Sequence, residues 1–436
     1  MNDTLDGDGA APNRDAPPDD SFDVVVIGAG LAGCTAARLF ALEGLRVALV
    51  EHHADLAAFK QLCTHFIQAS ATPTLRRLGL DKLIEEAGGL RNGVDIWTRY
   101  GWTGDAAPLD ASGEPVFGYN IQRRTLDPIL RRLTTNTSGV TSLLGYSLRA
   151  LQAGNDSGWG VELAGAATRV VRAPLIVGAD GRNSPLATLA GIAPASSPNS
   201  RFGAIRAYRN VSLRRGTCSQ MWLRGPETAY VFPNDGGVTV IAYMATKDRL
   251  DEFRADPAEA LERKMATFPD APDLAAAERL GHALLVKDYP NVWRQPTVGN
   301  IALAGDALMS IDPLWGVGCG FAFQTAEWLV DLLAPALKQQ IPLAPALHRY
   351  ARRVSWELNG HRFLILDYAR RRGFNALERL SFSAAARDPA ASRHLHAFGA
   401  RLIGPARFLS PRALLHATWV DLRRPAARSA QPDAPV

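Results

Sequence analysis

The chain has 436 residues, of which 47% are hydrophobic and 21% are charged, a composition typical of a globular protein with room for two or three domains. The formal net charge of +5 suits anionic ligands, but no aromatic–basic motif accompanies it, so we expect no nucleic-acid partner. No apolar run reaches membrane-span length, and the four cysteines lack metal-ligand spacing, so we expect no transmembrane segment, no metal site and a cytoplasmic location.

A strand–helix–strand pattern opens the ordered part of the chain. The apolar run Val24–Ile27 is too short and too β-branched for a helix and predicts a buried parallel strand. A glycine motif follows at once, in which Gly28 permits a sharp turn, Gly30 leaves room for a pyrophosphate and Gly33 lets the next helix approach the strand. Glu51 ends the second strand, where a carboxylate accepts bonds from both ribose hydroxyls and repels a 2′-phosphate. The pattern predicts a site for FAD or NAD rather than NADP.

Two later apolar strands end in similar polar turns. Leu175–Gly178 leads into Asp180, and Ile301–Ala304 leads into Asp306. A glycine-rich loop, Gly316–Gly320, then precedes a helix predicted to begin at about Phe321. The loop directs the amino end of this helix towards a ligand bound at the edge of the sheet. Because ligands of open α/β sheets bind outside the carboxyl ends of the strands, three such turns predict one extended ligand.

The three motifs together carry a family resemblance. GAGLAG, GADGRNSP and GDALMSIDPLWGVGCG resemble the FAD-dependent monooxygenase clan of the para-hydroxybenzoate hydroxylase fold, which also contains geranylgeranyl-reductase-like enzymes and flavin-dependent halogenases. The resemblance implies FAD as cofactor and NAD(P)H as electron donor. The residues it assigns to the ADP half are Gly28, Gly30, Leu31, Ala32, Gly33 and Glu51. The residues it assigns to the flavin half are Arg123, Asp180, Asp306, Pro313, Gly316, Gly318, Cys319 and Gly320.

The expected fold is α/β, a Rossmann-like FAD-binding domain interleaved with an antiparallel substrate-domain sheet and followed by a helical C-terminal tail. Period-two alternation over Arg201–Tyr243 predicts the antiparallel sheet, and Asp256–Leu285 is predicted to be helical. The predicted divisions are a disordered leader at 1–20, an FAD-binding domain at 21–92, 120–195 and 296–345, a substrate domain at 93–119 and 196–295, a helical region at 346–422 and a disordered tail at 423–436.

The chain also departs from the family pattern. The second motif usually runs DGxxSxxR, but Ala187 stands at the arginine position, which weakens the case for direct NAD(P)H binding. Met309 replaces a frequent histidine of the third motif, so the sequence IDPLWGVG is closer to the reductase and halogenase branches. The halogenase signature WxWxIP is absent, and Lys60 is a poor substitute for a halogenating lysine.

The resemblance implies an FAD-dependent monooxygenase of secondary metabolism that hydroxylates or oxidises a small aromatic or polyketide-like substrate through a flavin C4a-hydroperoxide. Most of that chemistry belongs to the cofactor. The alternatives are a flavin-dependent reductase of the geranylgeranyl-reductase type, a flavin-dependent halogenase, and a scaffold that no longer binds FAD. Electrons would come directly from NAD(P)H or from a separate flavin reductase.

Catalytic residues are not fixed by the sequence, but candidates exist. His65 lies where the clan's chain passes the flavin, although a structural histidine is the simpler interpretation, and Trp315 is expected to touch either flavin or substrate. Gln68 is expected to meet the flavin or to cap the following helix, whereas Tyr230 is expected in the core. Cys319 is expected to have no partner cysteine nearby, so we expect a small packing residue rather than a redox thiol.

Overall fold

The computed structural model describes residues 20–103, 107–110, 112–152, 158–370 and 373–423. The predicted leader and tail lie outside these ranges, apart from Asp20 and Arg423. The strands of the described residues are, in chain order, Val24–Ile27 (β1), Val47–Glu51 (β2), Phe66–Ile67 (β3), Leu90–Asn92 (β4), Val94–Thr98 (β5), Gly101–Trp102 (β6), Gly118–Asn120 (β7), Val140–Leu144 (β8), Ser147–Gln152 (β9), Trp159–Ala164 (β10), Arg169–Ala173 (β11), Leu175–Gly178 (β12), Ala195–Ser197 (β13), Arg201–Arg209 (β14), Ser219–Arg224 (β15), Glu227–Pro233 (β16), Thr239–Thr246 (β17), Glu278–Val286 (β18), Asn291–Trp293 (β19), Thr297–Val298 (β20), Ile301–Leu303 (β21) and Met309–Ser310 (β22). The α-helices are Leu31–Leu42 (α1), Thr72–Leu78 (α2), Leu80–Glu86 (α3), Arg123–Thr135 (α4), Pro185–Leu189 (α5), Pro257–Met265 (α6), Val317–Lys338 (α7), Ala344–Tyr368 (α8), Ala376–Ala385 (α9), Pro389–Gly399 (α10), Pro405–Phe408 (α11) and Pro411–Arg423 (α12).

A six-stranded sheet forms the first layer, with the strand order β20-β21-β12-β1-β2-β8. Its four pairings from β21 to β8 are parallel, and β20 adds an antiparallel edge. β1 and β12 are buried along their whole length, which explains their unbroken apolar sequences. Since β21, β12 and β1 are neighbours and parallel, the three motif turns meet at one edge of the sheet, as the sequence predicts.

A seven-stranded sheet forms the second layer, in the order β18-β14-β17-β16-β15-β5-β6. Side chains alternate between its two faces. One face packs Trp222, Tyr208 and Tyr243 against α6 and the segment that follows it. The other face presents Tyr230 and Phe232 towards the C-terminal helices. The antiparallel sheet predicted over Arg201–Tyr243 is therefore confirmed.

The C-terminal region is helical, as predicted, and it covers the inner face of the second sheet. Tyr368, Phe382 and Leu395 from α8, α9 and α10 join the same apolar cluster as Tyr230 and Phe232. The architecture is thus a Rossmann-like α/β sheet interleaved with an antiparallel sheet and completed by helices. No helix among the described residues combines the length and apolarity needed to cross a bilayer.

The helix predicted over Asp256–Leu285 is wrong in its second half. α6 ends at Met265, and Pro269 and Pro272 then interrupt any helical continuation. The chain re-enters the second sheet as β18, which pairs antiparallel with β14. β18 is an edge strand with many exposed side chains, so its pattern lacks the clear alternation of the inner strands.

The helix after the glycine-rich loop begins earlier than predicted. α7 starts at Val317 instead of Phe321, because Gly316 takes the left-handed conformation, with φ of 63°, and serves as its N-cap. A Cβ at Gly316 would lie 2.6 Å from the Phe66 ring, so the position also demands a small residue. Gly318, Cys319 and Gly320 consequently belong to the first turn of α7.

Candidate active site

A cavity of about 840 Å³ lies at the carboxyl edge of the parallel sheet. It extends from the glycine turn after β1 to the first turn of α7. The predicted cofactor residues that line it are Gly28, Gly30, Leu31, Ala32, Glu51, Arg123, Asp180, Asp306, Pro313, Gly316, Gly318 and Cys319. Gly33 and Gly320 do not line it and serve packing instead. We call this space the flavin cavity.

The glycine turn has the geometry of a phosphate cradle. Gly28 has φ of +99°, and a Cβ there would lie 2.5 Å from the carbonyl oxygen of Ala179. A Cβ at Gly33 would lie 1.7 Å from the Gly28 carbonyl oxygen, so close packing explains this glycine. A Cβ at Gly30 would meet nothing within 4 Å and would project into open cavity space. The residues present therefore fit a bound pyrophosphate at the amino end of α1.

Glu51 is oriented by the backbone around it. Its carboxylate accepts hydrogen bonds from the amide N–H of Ala29 at 2.8 Å and from the amide N–H of His53 at 3.0 Å. The same carboxylate and the imidazoles of His52 and His53 bring ligand-type atoms within 4.8 Å of one another. The two amides hold the carboxylate at the cavity wall, where we expect it to accept hydrogen bonds from a ribose. That this site binds no metal stays our prediction.

Three charged residues of α4 share one helix face under the cavity. The Arg123 guanidinium donates to both oxygens of Asp127, at 2.5 and 2.9 Å. Burial alone would lower the pKa of Arg123, but the surrounding acidic groups, with Asp127 first among them, together raise that pKa. The Arg131 side chain donates a hydrogen bond to the carbonyl oxygen of Ala29 at 3.4 Å and so stabilises the glycine turn. Sequence reasoning missed Asp127 and Arg131, although their positions four and eight residues after Arg123 indicate a common helix face.

Asp180 lines the cavity and also builds its own turn. One carboxylate oxygen accepts from the Ser184 hydroxyl at 2.6 Å and the other accepts from the Leu186 amide at 2.8 Å. Burial raises the pKa of Asp180, and these hydrogen bonds oppose that shift. The residue therefore holds the second motif in shape, and a direct bond to cofactor stays a prediction.

Arg294 contacts the second motif from outside it. It donates to the Arg182 carbonyl at 2.8 Å and to the Ala307 carbonyl at 2.9 Å, which joins the second motif to the third. Ala187 itself is fully buried. No sequence pattern predicts this contact, because Arg294 is more than one hundred residues away from the second motif.

The third motif is tied to both sheets. Asp312 is 1% exposed and lies 3.3 Å from the guanidinium of Arg201, which is 2% exposed. Asp312 also accepts from the Asn199 amide at 2.7 Å and from the Leu314 backbone at 2.9 Å. The buried ion pair thus fixes the loop before α7 to the first strand of the antiparallel run.

His65 does not reach either of the two cavities described here. Its Nδ1 accepts from the Arg123 backbone N–H at 3.1 Å, and its own backbone N–H donates to the Cys63 sulfur at 3.2 Å. These bonds favour the structural interpretation of His65. Cys63 and Cys319 both line the flavin cavity and each shifts the pKa of the other, so the expectation that Cys319 has no partner cysteine nearby is wrong. The two residues are distant in sequence and meet only in the folded chain.

A second cavity of about 290 Å³ adjoins the first, and Phe66 and Gly316 line both. Trp315 and Tyr230 line only the second cavity of the two. Its C-terminal wall comes from α10 and includes His396, whose Nε2 lies 3.0 Å from the Thr103 hydroxyl. Sequence reasoning missed this contribution of the helical region.

Gln68 does not line the flavin cavity, and its expected contact with the flavin stays a prediction. Its side-chain amide donates to the carbonyl of Trp315 at 3.1 Å and to the carbonyl of Gly399 at 2.7 Å. It makes no side-chain capping bond to the short helix that follows. Gln68 instead joins the loop before α7 to the end of α10.

A glycine turn with room for a pyrophosphate, a carboxylate held at the cavity wall and the amino end of a second helix surround one elongated cavity, and this arrangement fits an FAD-dependent oxidoreductase. The family model described as FAD binding domain matches residues 21–354, and the chain belongs to that family.

Curated relatives include both reductases and hydroxylases. Digeranylgeranylglycerophospholipid reductase 1 of Methanopyrus kandleri is 28% identical over 364 residues, which cover 77% of this chain and 86% of the relative. The 3-demethoxyubiquinol 3-hydroxylase of Escherichia coli is 25% identical over 345 residues, covering 76% and 85% of the two chains. A solved flavoprotein/dehydrogenase from Cytophaga hutchinsonii has the same fold, with a TM-score of 0.75, 17% identity and coverage of 92% and 98%.

Proposed function

We propose that this enzyme is a monooxygenase that hydroxylates or oxidises a small aromatic or polyketide-like substrate bound in the second cavity. The observation that carries the proposal is the shared wall, at which Phe66 and Gly316 face both cavities. A molecule in the second cavity would lie beside the loop assigned to the flavin ring. The bound cofactor would supply the oxygenating species, a flavin C4a-hydroperoxide.

The walls of the second cavity favour an apolar, flat substrate. Aromatic and aliphatic side chains dominate them, including Phe117, Met221, Tyr230 and Trp315. His396 provides a buried polar group at the C-terminal wall, suited to orient one polar end of the substrate. Such a lining excludes water from the reacting centre, which protects a labile oxygen donor from decay.

The electron supply is part of the proposal. Arg294 gives the second motif a positive charge despite Ala187, which supports direct reduction by NAD(P)H. A separate flavin reductase is the alternative. Either route fits the cytoplasmic location proposed from the scattered cysteines, all four of which are free.

The deciding experiment is product analysis under isotopically labelled oxygen gas. The FAD-loaded enzyme would be incubated with NADH or NADPH and with menadiol as an aromatic probe. The masses of the products would be measured by mass spectrometry. We expect a product that has gained one labelled oxygen atom. Menadiol that returns without label, although the flavin is reduced and reoxidised, would contradict hydroxylation of this substrate class.

A reductase of carbon–carbon double bonds is the second candidate. The Methanopyrus relative is named a reductase, and the apolar second cavity accommodates an unsaturated chain as well as a ring. With geranylgeraniol as the probe under anaerobic conditions, this function predicts a mass gain of two hydrogens per turnover. A halogenase has less support, because Lys60 pairs with Asp306 and is not among the residues that line the second cavity.

A further inference from the structure

Exposed apolar side chains are concentrated in the C-terminal helices. Among the described residues, the large hydrophobic side chains with the highest exposed fractions, from 68% to 87%, are Trp356, Phe363, Leu415 and Leu422. All four belong to α8 or α12. Single exposed apolar residues are common on globular proteins, but a concentration of them marks a surface that contacts an apolar partner.

The two faces of α12 have different environments. Ala417 and Val420 are buried in an apolar cluster shared with α9, and they attach α12 to the helical region. Leu415, Trp419 and Leu422 are exposed, and their spacing of four and three residues places them together on another face of the helix. We call these three residues the apolar row. The helix is therefore held on one side and presents the apolar row to the surroundings on the other.

Arginines accompany the apolar row at both of its ends. Arg412 precedes the row in the first turn of α12, Arg423 follows it in the last turn, and both are exposed. The Arg423 guanidinium lies 4.3 Å from the centre of the Trp419 ring, so the positive charge and the aromatic side chain are direct neighbours. The exposed face of α12 thus combines apolar area with positive charge.

Negative charge on α12 is neutralised by the neighbouring helix. The one acidic residue of α12, Asp421, accepts a hydrogen bond from the Ser383 hydroxyl at 2.7 Å and forms an ion pair with Arg387. In α8, by contrast, the exposed Glu357 directly follows Trp356 in the chain. Charge therefore distinguishes the two helices, and α12 is the one that complements a negatively charged partner.

We propose that α12 lies along the surface of a lipid bilayer that contains anionic phospholipids. The helix has 13 residues and is about 20 Å long, which is shorter than the hydrocarbon core of a bilayer, so it lies in the plane of the surface. The apolar row inserts at the boundary between headgroups and acyl chains, and the two arginines bind lipid phosphates. A tryptophan beside an arginine suits this boundary, where one part of the environment is apolar and the other is wet and charged. The proposal does not depend on the reaction that the flavin cavity supports.

The test is co-sedimentation of the full-length FAD-loaded protein with lipid vesicles. Vesicles of phosphatidylcholine alone are compared with vesicles in which about 30% of the lipid is phosphatidylglycerol. We expect binding to the anionic vesicles to be at least about tenfold tighter, because each arginine near an anionic surface strengthens binding several-fold. Salt at about 0.5 M should remove most of this difference, since it screens exposed charges. Equal binding to the two kinds of vesicle, or no sedimentation with either, would overturn the proposal.

A pair of double variants tests the apolar row. Leu415→Ser with Leu422→Ser removes two exposed side chains without opening the core, and it should weaken binding to anionic vesicles at least about tenfold. The matched control, Leu42→Ser with Leu189→Ser, changes exposed leucines of α1 and α5 and should bind as the natural protein does. Circular dichroism and flavin absorbance check that both proteins are folded. Equal vesicle binding by the two folded double variants would contradict a role for the apolar row.

A second pair tests the charges. Arg412→Gln with Arg423→Gln should abolish the preference for anionic vesicles. Arg254→Gln with Arg263→Gln neutralises two exposed arginines outside the C-terminal helices and should keep that preference. If both proteins prefer anionic vesicles to the same degree, the arginines of α12 do not bind the lipid and the proposal is wrong.

Sedimentation velocity without lipid tests for a different occupant of the apolar row. We expect the natural protein and Leu415→Ser with Leu422→Ser to have the same oligomeric state. A dimer of the natural protein that dissociates in this double variant would show that a second copy of the chain covers the row, and would overturn binding to a bilayer.

Discussion

The Lys60 ammonium lies 2.7 Å from the Asp306 carboxylate, so the segment after β2 reaches across the flavin cavity to the third motif. Burial would lower the pKa of Lys60, but Asp306, followed by Tyr289, opposes this effect, and the pKa is raised. Asp306 is 25% exposed, which leaves it accessible to a ribityl hydroxyl at the position the sequence predicts. The pair thus brings two charges to the middle of the cavity.

Replacing Asp306 by asparagine should weaken FAD binding. A hydrogen bond to a charged group contributes about 1.5–3 kcal/mol, so we expect the Kd for FAD to rise at least about tenfold. Flavin fluorescence titration of the apoprotein measures it. The control is Asp288→Asn, which removes a carboxylate 2.6 Å from Lys247 on the surface and away from the cavity lining. Equal affinities for the two variants would contradict the assignment of Asp306.

The buried ion pair between Arg201 and Asp312 should contribute strongly to the free energy of unfolding, because it joins β14 to the loop before α7. Asp312→Ala leaves the Arg201 guanidinium buried without its carboxylate, which costs about 3–5 kcal/mol of unfolding free energy. Urea denaturation of the FAD-loaded protein gives this value. Asp251→Ala breaks an exposed pair with Arg254 and should cost less than about 1 kcal/mol. A loss below about 1 kcal/mol in Asp312→Ala would show that the pair is dispensable.

Local spacing made much of the cofactor site predictable. Gly28 and Gly33 act within one turn and one helix, and their backbone contacts follow from the motif itself. Asp180 and Asp306 follow short apolar strands, and parallel strands bring their carboxyl ends to one edge. These placements depend on short-range pattern and a simple rule of sheet topology.

The contacts that escaped prediction join residues far apart in the chain. Cys63 lies near Cys319, Arg201 meets Asp312, and His396 reaches the second cavity. Cys319 and Asp312 belong to the third motif, but Cys63, Arg201 and His396 lie outside every motif. Their positions follow from the packing of whole layers, which no periodicity encodes. The same holds for Arg294, which joins two motifs from outside both.

Stability should depend on pH through His361. Burial, and secondarily the Arg401 guanidinium, lower the pKa of His361 from 6.5 to about 4. The folded protein keeps this imidazole neutral while the unfolded chain protonates it, so stability present above pH 6.5 is lost as pH falls towards about 4. Urea denaturation at several pH values should show a smaller loss in His361→Gln than in the natural protein. His348→Gln, at an exposed position, should retain the full loss, and identical pH profiles for all three proteins would contradict the role of His361.

Filling the second cavity should separate substrate binding from cofactor binding. Ala400 lines this cavity but not the flavin cavity, so Ala400→Phe places a ring in the proposed substrate space. Overpacking costs about 1–3 kcal/mol, and we expect kcat/KM for the active probe, menadiol or geranylgeraniol, to fall at least about tenfold. The Kd for FAD should stay unchanged, because the two cavities meet elsewhere, at Phe66 and Gly316.

Ala390→Phe is the matched control, since Ala390 is exposed in the same helix, α10, whose end carries Ala400. Steady-state kinetics and flavin titration on both variants decide the question. If Ala400→Phe turns over the probe as efficiently as Ala390→Phe, the substrate does not occupy the second cavity. If Ala400→Phe loses FAD as well, the two cavities act as one site, and the proposed division between cofactor and substrate is wrong.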